Sequence, residues 1–408
     1  MKQIPGGVTA PKGFRAWGVH CGVKSKKADK KDLALILSDQ ECAAAAVYTM
    51  NRVKAAPLYV TMEHLEDGTA WGVAANSGNA NACCPMSHEY AEEMARLAAR
   101  ATGRAPADFV VASTGVIGQT LNIAAIRAGM PAAAAGLTAG PEGSDAAARA
   151  IMTTDTVKKE LALACSIGGR TVTLGAIAKG SGMIHPNMCT MLSFITTDIC
   201  ISKELLQRAL SEDIKGTYNM ISVDGDTSTN DSVLLLANGQ AGNAEITDEA
   251  DEGYALFCKA LNMVNETFSK AIAGDGEGCT ALFEVKVVGA KTLEDARILS
   301  KSIITSSLTK AAIFGHDANW GRIICAMGYS GGEFDPETVD LFFESKAGKL
   351  QIVKNGVATD YSEEEATKIL SEPVVTAIAD VKMGECEATA WGCDLTYDYV
   401  RINGDYRS

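Results

Sequence analysis

The sequence predicts an α/β fold with layered sheets, and three observations carry that expectation. Short apolar, β-branched runs alternate along the chain with longer stretches whose apolar residues recur every three or four positions, as strands alternate with amphipathic helices. Clusters of Gly, Asn, Asp and Pro bound these runs and read as turns. Hydrophobic residues make up 47% of the 408, enough to bury the core of one large or two ordinary domains and well above a disordered composition.

Residues 1–30, rich in Gly, Pro and Lys, read as an irregular lead-in. Asp32 to Leu37 is a short strand pattern, and the apolar run Ala43 to Met50 is a strand followed by a helical turn that Pro57 terminates. Gly72 to Ala82, GVAANSGNANA, is a strand entering a loop where Asn76, Asn79 and Asn81 cap backbone groups. From His88 to Ala101, Ala91, Met94, Leu97 and Ala98 share one helical face. The buried strand Phe109 to Ala112 ends in a tight loop, Ser113-Thr114-Gly115-Val116-Ile117-Gly118. A helix follows from Asn122 to Ala135, with a break near Gly129 and Pro131. Such a strand-to-helix turn is either plain connection or a nest of N–H groups for a developing oxyanion. Ser144 to Met152 is a small-residue helix meeting Thr153-Thr154-Asp155-Thr156. Ala164 to Ser166 and Thr171 to Ile177 form a hairpin around Gly168-Gly169, closed by Lys179.

Further on, Ser202 caps a helix reaching Leu210. Met220 to Val223 and Val233 to Ala237 read as strands around the acidic loop 224–231. Glu249 to Ala271 is a long amphipathic helix, Ala281 to Val288 a strand and Leu293 to Leu308 a helix. Residues 315–322 read as an aromatic-anchored loop, and 323–350 as a further helix-and-strand unit. Val374 to Asp380 and Glu387 to Leu395 are strands, the second leading into Tyr397-Asp398-Tyr399-Val400.

Composition excludes several functions. A net charge of −13 argues against nucleic acid and against an anionic membrane surface. No run of about 18 uncharged apolar residues is present, so no membrane span is expected. The opening MKQIPGGVTAPKGF has no apolar core of a signal, and the 12 cysteines are scattered without a C-x-x-C, so a reduced, cytoplasmic protein is expected. The five histidines lack zinc-motif spacing, residues 224–231 lack the calcium-loop pattern, and Gly274-Asp275-Gly276-Glu277-Gly278 follows a helix, against a dinucleotide fingerprint. No metal or organic cofactor is expected.

The chain is organised around Lys179 to Asp198, KGSGMIHPNMCTMLSFITTD, a flexible loop feeding a buried strand. Thr190 sits at the junction. It is either an ordinary strand starter or an N-terminal nucleophile freed by a cut after Cys189. A threonine hydroxyl needs a base beside it, and the freed α-amine, with a reference pKa of about 7.7–8.0, would supply one.

The words of this stretch resemble a known family, the bifunctional arginine-biosynthesis proteins, glutamate N-acetyltransferase or ornithine acetyltransferase. The family hallmark, KGSGMIxPNMATML, is cut before its threonine. Residues 179–192 match it except that Cys189 stands in place of alanine. NSGNANA, STGVIG, TTDT, GDTSTND, GxDxNWGR and a C-terminal pattern like NxDYRT extend the resemblance along nearly the whole chain. The resemblance implies that family's own fold, layered sheets flanked by helices, cut into chains 1–189 and 190–408 that assemble two of each as a heterotetramer. It implies Thr190 as nucleophile, Thr114 and Gly115 as oxyanion hole, and Thr153, Lys179, Thr190, Glu277, Asn403 and Ser408 as the substrate-binding set. Lys179 suits a carboxylate and Glu277 a cationic amine, while the acidic loop 224–231 braces the nucleophile.

The implied reaction moves acetyl from N-acetyl-L-ornithine to L-glutamate through an acetyl-threonine, and some members also take acetyl from acetyl-CoA. Two readings compete with it. One is a self-processing aminopeptidase or amidase in which water accepts the acyl group, and the other is a non-catalytic α/β binding protein.

Overall fold

The computed structural model describes residues 1–24, 30–185 and 191–405. Among these residues the strands form two sheets. The larger has nine strands: β1 (Lys2–Ile4), β2 (Phe14–Val19), β3 (Leu33–Tyr48), β4 (Thr69–Asn79), β5 (Phe109–Val116), β6 (Lys159–Ile167), β7 (Arg170–Lys179), β8 (Leu192–Thr197) and β9 (Ser232–Ala237). Their order is β1-β6-β7-β8-β9-β3-β4-β5, with β2 also paired to β3. The β4–β5 and β8–β9 pairs are parallel, and the other pairs are antiparallel. The second sheet has six strands: β10 (Leu282–Ala290), β11 (Asp340–Ser345), β12 (Gly348–Lys354), β13 (Val357–Ala358), β14 (Val374–Asp380) and β15 (Cys386–Cys393), ordered β13-β12-β11-β14-β10-β15.

The helices are α1 (Ala56–His64), α2 (Ser87–Thr102), α3 (Ile123–Ala135), α4 (Pro141–Ile151), α5 (Lys203–Asp213), α6 (Glu252–Gly274), α7 (Leu293–Thr305), α8 (Ser307–Phe314), α9 (Trp320–Gly328), α10 (Glu363–Leu370) and α11 (Tyr397–Asp405). Helices α1–α6 cover the large sheet because alternate strand residues point to opposite faces, and here both faces are apolar. Leu33, Leu35 and Leu37 pack with Met94 and Ala98 of α2 and with Ile126 and Met130 of α3. Ala34 and Ile36 point the other way, onto Ala147 and Ile151 of α4. Ile195 and Leu235 lie with Leu206 of α5 and Phe257 of α6, while Phe194 and Leu234 join the α4 side. Helix α6 also meets the second sheet, its Phe268 and Ile272 sharing a core with Val285 and Trp391 and with Ile303 of α7. Fully buried residues such as Phe194 and Phe257 set the scale, since truncating either to alanine removes about 3–5 kcal/mol.

The layered α/β architecture matches the expectation, with several local differences. β1 and β2 occupy the supposedly irregular lead-in. The two patterns at 32–37 and 43–50 are one strand, β3, whose register shifts between Leu37 and Cys42. Pro57 opens α1 rather than ending it, as suits a residue whose fixed φ fits a first turn. The β5 strand runs on through Thr114 and Gly115 because it pairs in parallel with the Ser77-Gly78 part of β4. Helix α3 is unbroken at Pro131; Pro131 and Arg127 both face solvent, so the carbonyl left without its N–H partner can be hydrated. Met220 to Val223 is not a strand but a 3-10 turn, Tyr218–Met220, followed by one bridge from Ile221 to Trp391. The helix expected over 293–308 ends at Thr305, where Ser306 caps a second one, accepting from Thr309 N at 3.2 Å. Trp320 opens α9 under an Asn319 cap instead of anchoring a loop. Tyr397 to Val400 begins α11 rather than extending β15.

Candidate active site

A cavity of about 150 Å³ lies where six pieces of chain converge: the end of β5, the turn between α4 and β6, the β7–β8 junction, the loop before β9, the turn after α6, and α11. It is lined by Thr114, Gly115, Thr153, Lys179, Glu277 and Asn403, six residues singled out from the sequence. Cys189, Thr190 and Ser408 lie outside the described residues. Met191, which follows Thr190, lines the cavity, and its carbonyl accepts from Ser232 N at 2.9 Å.

Gly115 is fixed by the β4–β5 register, which sets it against Gly78. Its φ is +132° and a Cβ there would stand 2.4 Å from the carbonyl carbon of Gly78, so only glycine fits. Asn230 ties the acidic loop to this strand. Its Nδ2 donates to the carbonyls of Ala80 at 2.6 Å and Ser113 at 2.8 Å, while Thr229 Oγ1 donates to its Oδ1 at 2.6 Å. Thus the loop braces the Thr114 side of the cavity. Asn76, Asn79 and Asn81 do not line the cavity and hold local backbone instead: Asn76 Nδ2 donates to Asn79 O at 3.0 Å and Asn81 Nδ2 to Ser87 O at 2.8 Å.

Lys179 ends β7 with its side chain nearly buried, Nζ 4.0 Å from Asp155 Oδ2. Asp155 is the hub beneath it, accepting from Thr153 N at 3.0 Å, Gly180 N at 2.7 Å and Lys159 Nζ at 2.8 Å. Burial opposes its charge, but Lys179, Lys159 and the Thr153 N–H outweigh burial and hold the carboxyl down at about 2. Lys159 Nζ also reaches Asp275 Oδ2 at 2.7 Å, and Asp275 accepts from Thr156 N at 3.1 Å. The TTDT turn, the end of β7 and the DGEG turn are therefore locked together under the cavity floor.

Glu277, two residues after Asp275, also lines the cavity. It accepts from Asn403 Nδ2 at 2.8 Å, which places α11 in the cavity wall. Ser181 Oγ donates to Asp275 O at 2.7 Å, and a Cβ on Gly182 would meet the Glu277 carboxylate at 2.3 Å. The glycine-serine-glycine opening of the hallmark stretch is thus what lets the Glu277 turn lie directly on it. Next, Met183 adopts φ +55°, and the N–H groups of Met183 and Ile184 both donate to Asp224, at 2.7 and 2.9 Å. His185 sits outside the cavity, its Nδ1 3.1 Å from Ser222 Oγ; burial, then the nearby Lys301, push its imidazole down to about 4.

Several contributors escaped the sequence reading. Asp231, Ser228 and Thr154 also line the cavity, and Lys159 and Asp275 support it from behind. In the sequence Asp231 is one of three aspartates in a polar loop, and nothing but its place next to an apolar run distinguishes it. Among the described residues no group of three or more His, Cys, Asp or Glu is placed to hold a metal ion.

The cavity thus combines a glycine-bearing strand end, a lysine for anions, a carboxylate for cations and the strand that follows Thr190. The sequence pattern of the ArgJ family matches residues 15–408. The chain is 54% identical over 409 residues to the arginine biosynthesis bifunctional protein ArgJ of Symbiobacterium thermophilum, covering 100% of both. It is 50% identical over 396 residues to ArgJ 1 of Clostridium acetobutylicum, covering 97% of this chain and 96% of that one. The crystal structure of the Bacillus halodurans arginine biosynthesis bifunctional protein matches at 49% identity and a TM-score of 0.51, with 53% of this chain covering 100% of that one. The chain belongs to the ArgJ family.

Proposed function

We propose that this protein is the acetyl-transferring enzyme of arginine biosynthesis, moving acetyl from N-acetyl-L-ornithine to L-glutamate through an acetyl-Thr190 intermediate. The observation that carries the reading is the meeting of Thr114, Gly115, Thr153, Lys179, Glu277 and Asn403 in one cavity with Met191, the neighbour of Thr190.

In this reading Thr190 Oγ attacks the acetyl carbonyl and its proton passes to the Thr190 α-amine. Thr114 and Gly115 donate to the oxygen as it becomes an oxyanion. Ornithine leaves with the proton, glutamate enters the same cavity, and its amine takes the acetyl group and restores the free threonine. Lys179 meets a substrate carboxylate and Glu277 a substrate ammonium group. Acyl transfer of this kind needs a nucleophile, a base and oxyanion donors, so no metal or organic cofactor takes part. Acetyl-CoA is proposed as a second donor.

The free α-amine requires a cut between Cys189 and Thr190, giving pieces 1–189 and 190–408 that assemble two of each. A solved relative's chain that 53% of this one covers in full supports the cut, since residues 190–408 are a little over half of the sequence. The described helices include none long and apolar enough to cross a membrane, and a cytoplasmic place suits a biosynthetic enzyme.

The test is to supply glutamate with acetylornithine or with acetyl-CoA and follow acetylglutamate by mass spectrometry. Acetylglutamate from acetylornithine supports the transferase, and its formation from both donors marks a bifunctional enzyme. Acetate without acetylglutamate would sink the transferase and favour an amidase.

A further inference from the structure

Asp231 is the last residue before β9, and its side chain is fully buried in the wall of the cavity. Its backbone is committed to the fold, the carbonyl accepting from Thr49 N at 3.0 Å. One oxygen of its carboxyl is not: Oδ2 is buried and has no hydrogen-bond partner among the described residues, while the Ser228 hydroxyl interacts with the group. An orphan polar atom of this kind costs about 1–3 kcal/mol, and a ligand that supplies the missing partner recovers it.

The surrounding charges decide the state of this carboxyl. Besides Asp231 itself, the described titratable groups lining the cavity are Lys179 on β7 and Glu277 after α6. Behind them Asp155 and Asp275 already stand against Lys159 and Lys179. A further charge on Asp231 would have no counterion of its own. Burial accordingly raises its pKa well above the carboxylate range, against the Ser228 hydroxyl and the Lys179 charge, which pull the other way. A neutral carboxyl carries one O–H and is a donor.

We propose that Asp231 is a substrate-contacting residue, its Oδ2 donating a hydrogen bond to the carboxylate of the amino acid that Lys179 attracts. The pair reads that carboxylate from two sides: Lys179 supplies charge and Asp231 supplies a directed donor without adding a negative charge beside it. The proposal rests on the amino-acid substrates given above. Ionisation of Asp231, as pH rises through its raised pKa, removes the donor and sets two negative groups against each other, so glutamate binds more weakly above that point.

The experiment compares the wild type with Asp231→Ala and Asp231→Asn. It measures KM and kcat for glutamate in acetyl transfer, and glutamate binding by calorimetry, across a pH series from mildly acidic upward. The α-amide of glutamate is run beside glutamate, and thermal unfolding shows that each variant is folded. Asp231→Ala is expected to weaken glutamate binding about tenfold, the worth of one good hydrogen bond to a charged group, and to narrow the preference for glutamate over its α-amide. Asp231→Asn, which also offers a neutral donor, is expected to restore most of that loss and to lack the weakening that Asp231 ionisation brings as pH rises. An unchanged KM and preference in the alanine variant overturns the proposal, and so does an asparagine variant as impaired as alanine. A wild type that binds glutamate but transfers no acetyl refutes the transferase reading while the calorimetry still decides on Asp231. A wild type that binds no amino acid refutes both.

Discussion

Asn403 Nδ2 lies 2.8 Å from Glu277 Oε2, so the final helix of the chain reaches back to hold a carboxylate in the cavity wall. The bond fixes one oxygen of Glu277, and in the proposed reaction the other meets the substrate's ammonium group. Asn403→Ala should raise KM for acetylornithine by about ten- to a hundredfold, in line with about 1.5–3 kcal/mol for a hydrogen bond to a charged group, with little change in thermal stability. Steady-state kinetics beside a melting curve checks this; a fall in melting temperature with unchanged KM would assign Asn403 to structure alone.

In the proposed mechanism, cleavage depends on the threonine hydroxyl. The intact mass of the purified protein should resolve into two pieces, the second beginning at Thr190, and Thr190→Ala should remain one chain. A fully active protein that is never cut rules out the N-terminal nucleophile.

Gly115→Ala should damage both activity and stability. The φ of +132° and the 2.4 Å approach to Gly78 force either strain, of order 1–3 kcal/mol, or separation of β5 from β4. Either outcome moves the donors beside Thr114. A melting temperature and turnover number equal to wild type would show that the backbone here is free to adjust.

The Asp155 hub predicts a pH dependence of stability. An aspartate in an unfolded chain titrates near about 3.9. In the folded protein Asp155 is held at about 2, so its contribution is complete above about pH 4 and is lost as pH falls through about 2. Asp155→Asn should cost about 3–5 kcal/mol at neutral pH, because Lys159 and Lys179 then lose a buried partner. It should also flatten the acid limb of the unfolding curve. An acid limb identical to wild type would mean that other carboxylates set it.

His185 acts in a higher window. Unfolded, its imidazole titrates near about 6.5, whereas in the fold it is held at about 4. Between these values the unfolded chain binds a proton that the native one refuses, so stability is full above about pH 6.5 and declines as pH drops toward about 4. Urea unfolding at neutral and mildly acidic pH should show the decline, and His185→Gln, which keeps a partner for Ser222, should reduce it. Equal slopes for the two proteins would remove His185 from the account.

Much of this was legible in the chain because periodicity and turn chemistry are local. Helix α2, the hairpin β6–β7 and the Ser202 cap could be read directly, since their apolar spacing, paired glycines and capping serine need no distant partner. What could not be read depended on partners far away. Ile221 meets a single residue of β15, so a four-residue strand pattern became a bridge. Pro131 sits in a helix because the carbonyl it strands faces water. The site divides the same way: Lys179, Glu277 and Thr114 stand in distinctive words, whereas Asp231 is one aspartate among several until burial separates it from the others.

The sheet order β7-β8-β9-β3 bears on how such a protein must be made. Strands β8 and β9 belong to the chain after Thr190 and are inserted between two strands from before it, with Lys179 facing Leu192 on one flank and Ala43 facing Ala237 on the other. The two segments are therefore interleaved rather than side by side. A fragment starting at Thr190 would carry a two-strand ribbon with both edges bare, and its counterpart would carry a sheet with a missing middle. Each alone would be an invitation to aggregate. Assembly before scission avoids both hazards, so one continuous polypeptide works as a built-in scaffold, and a gene split at this point would deprive its products of it.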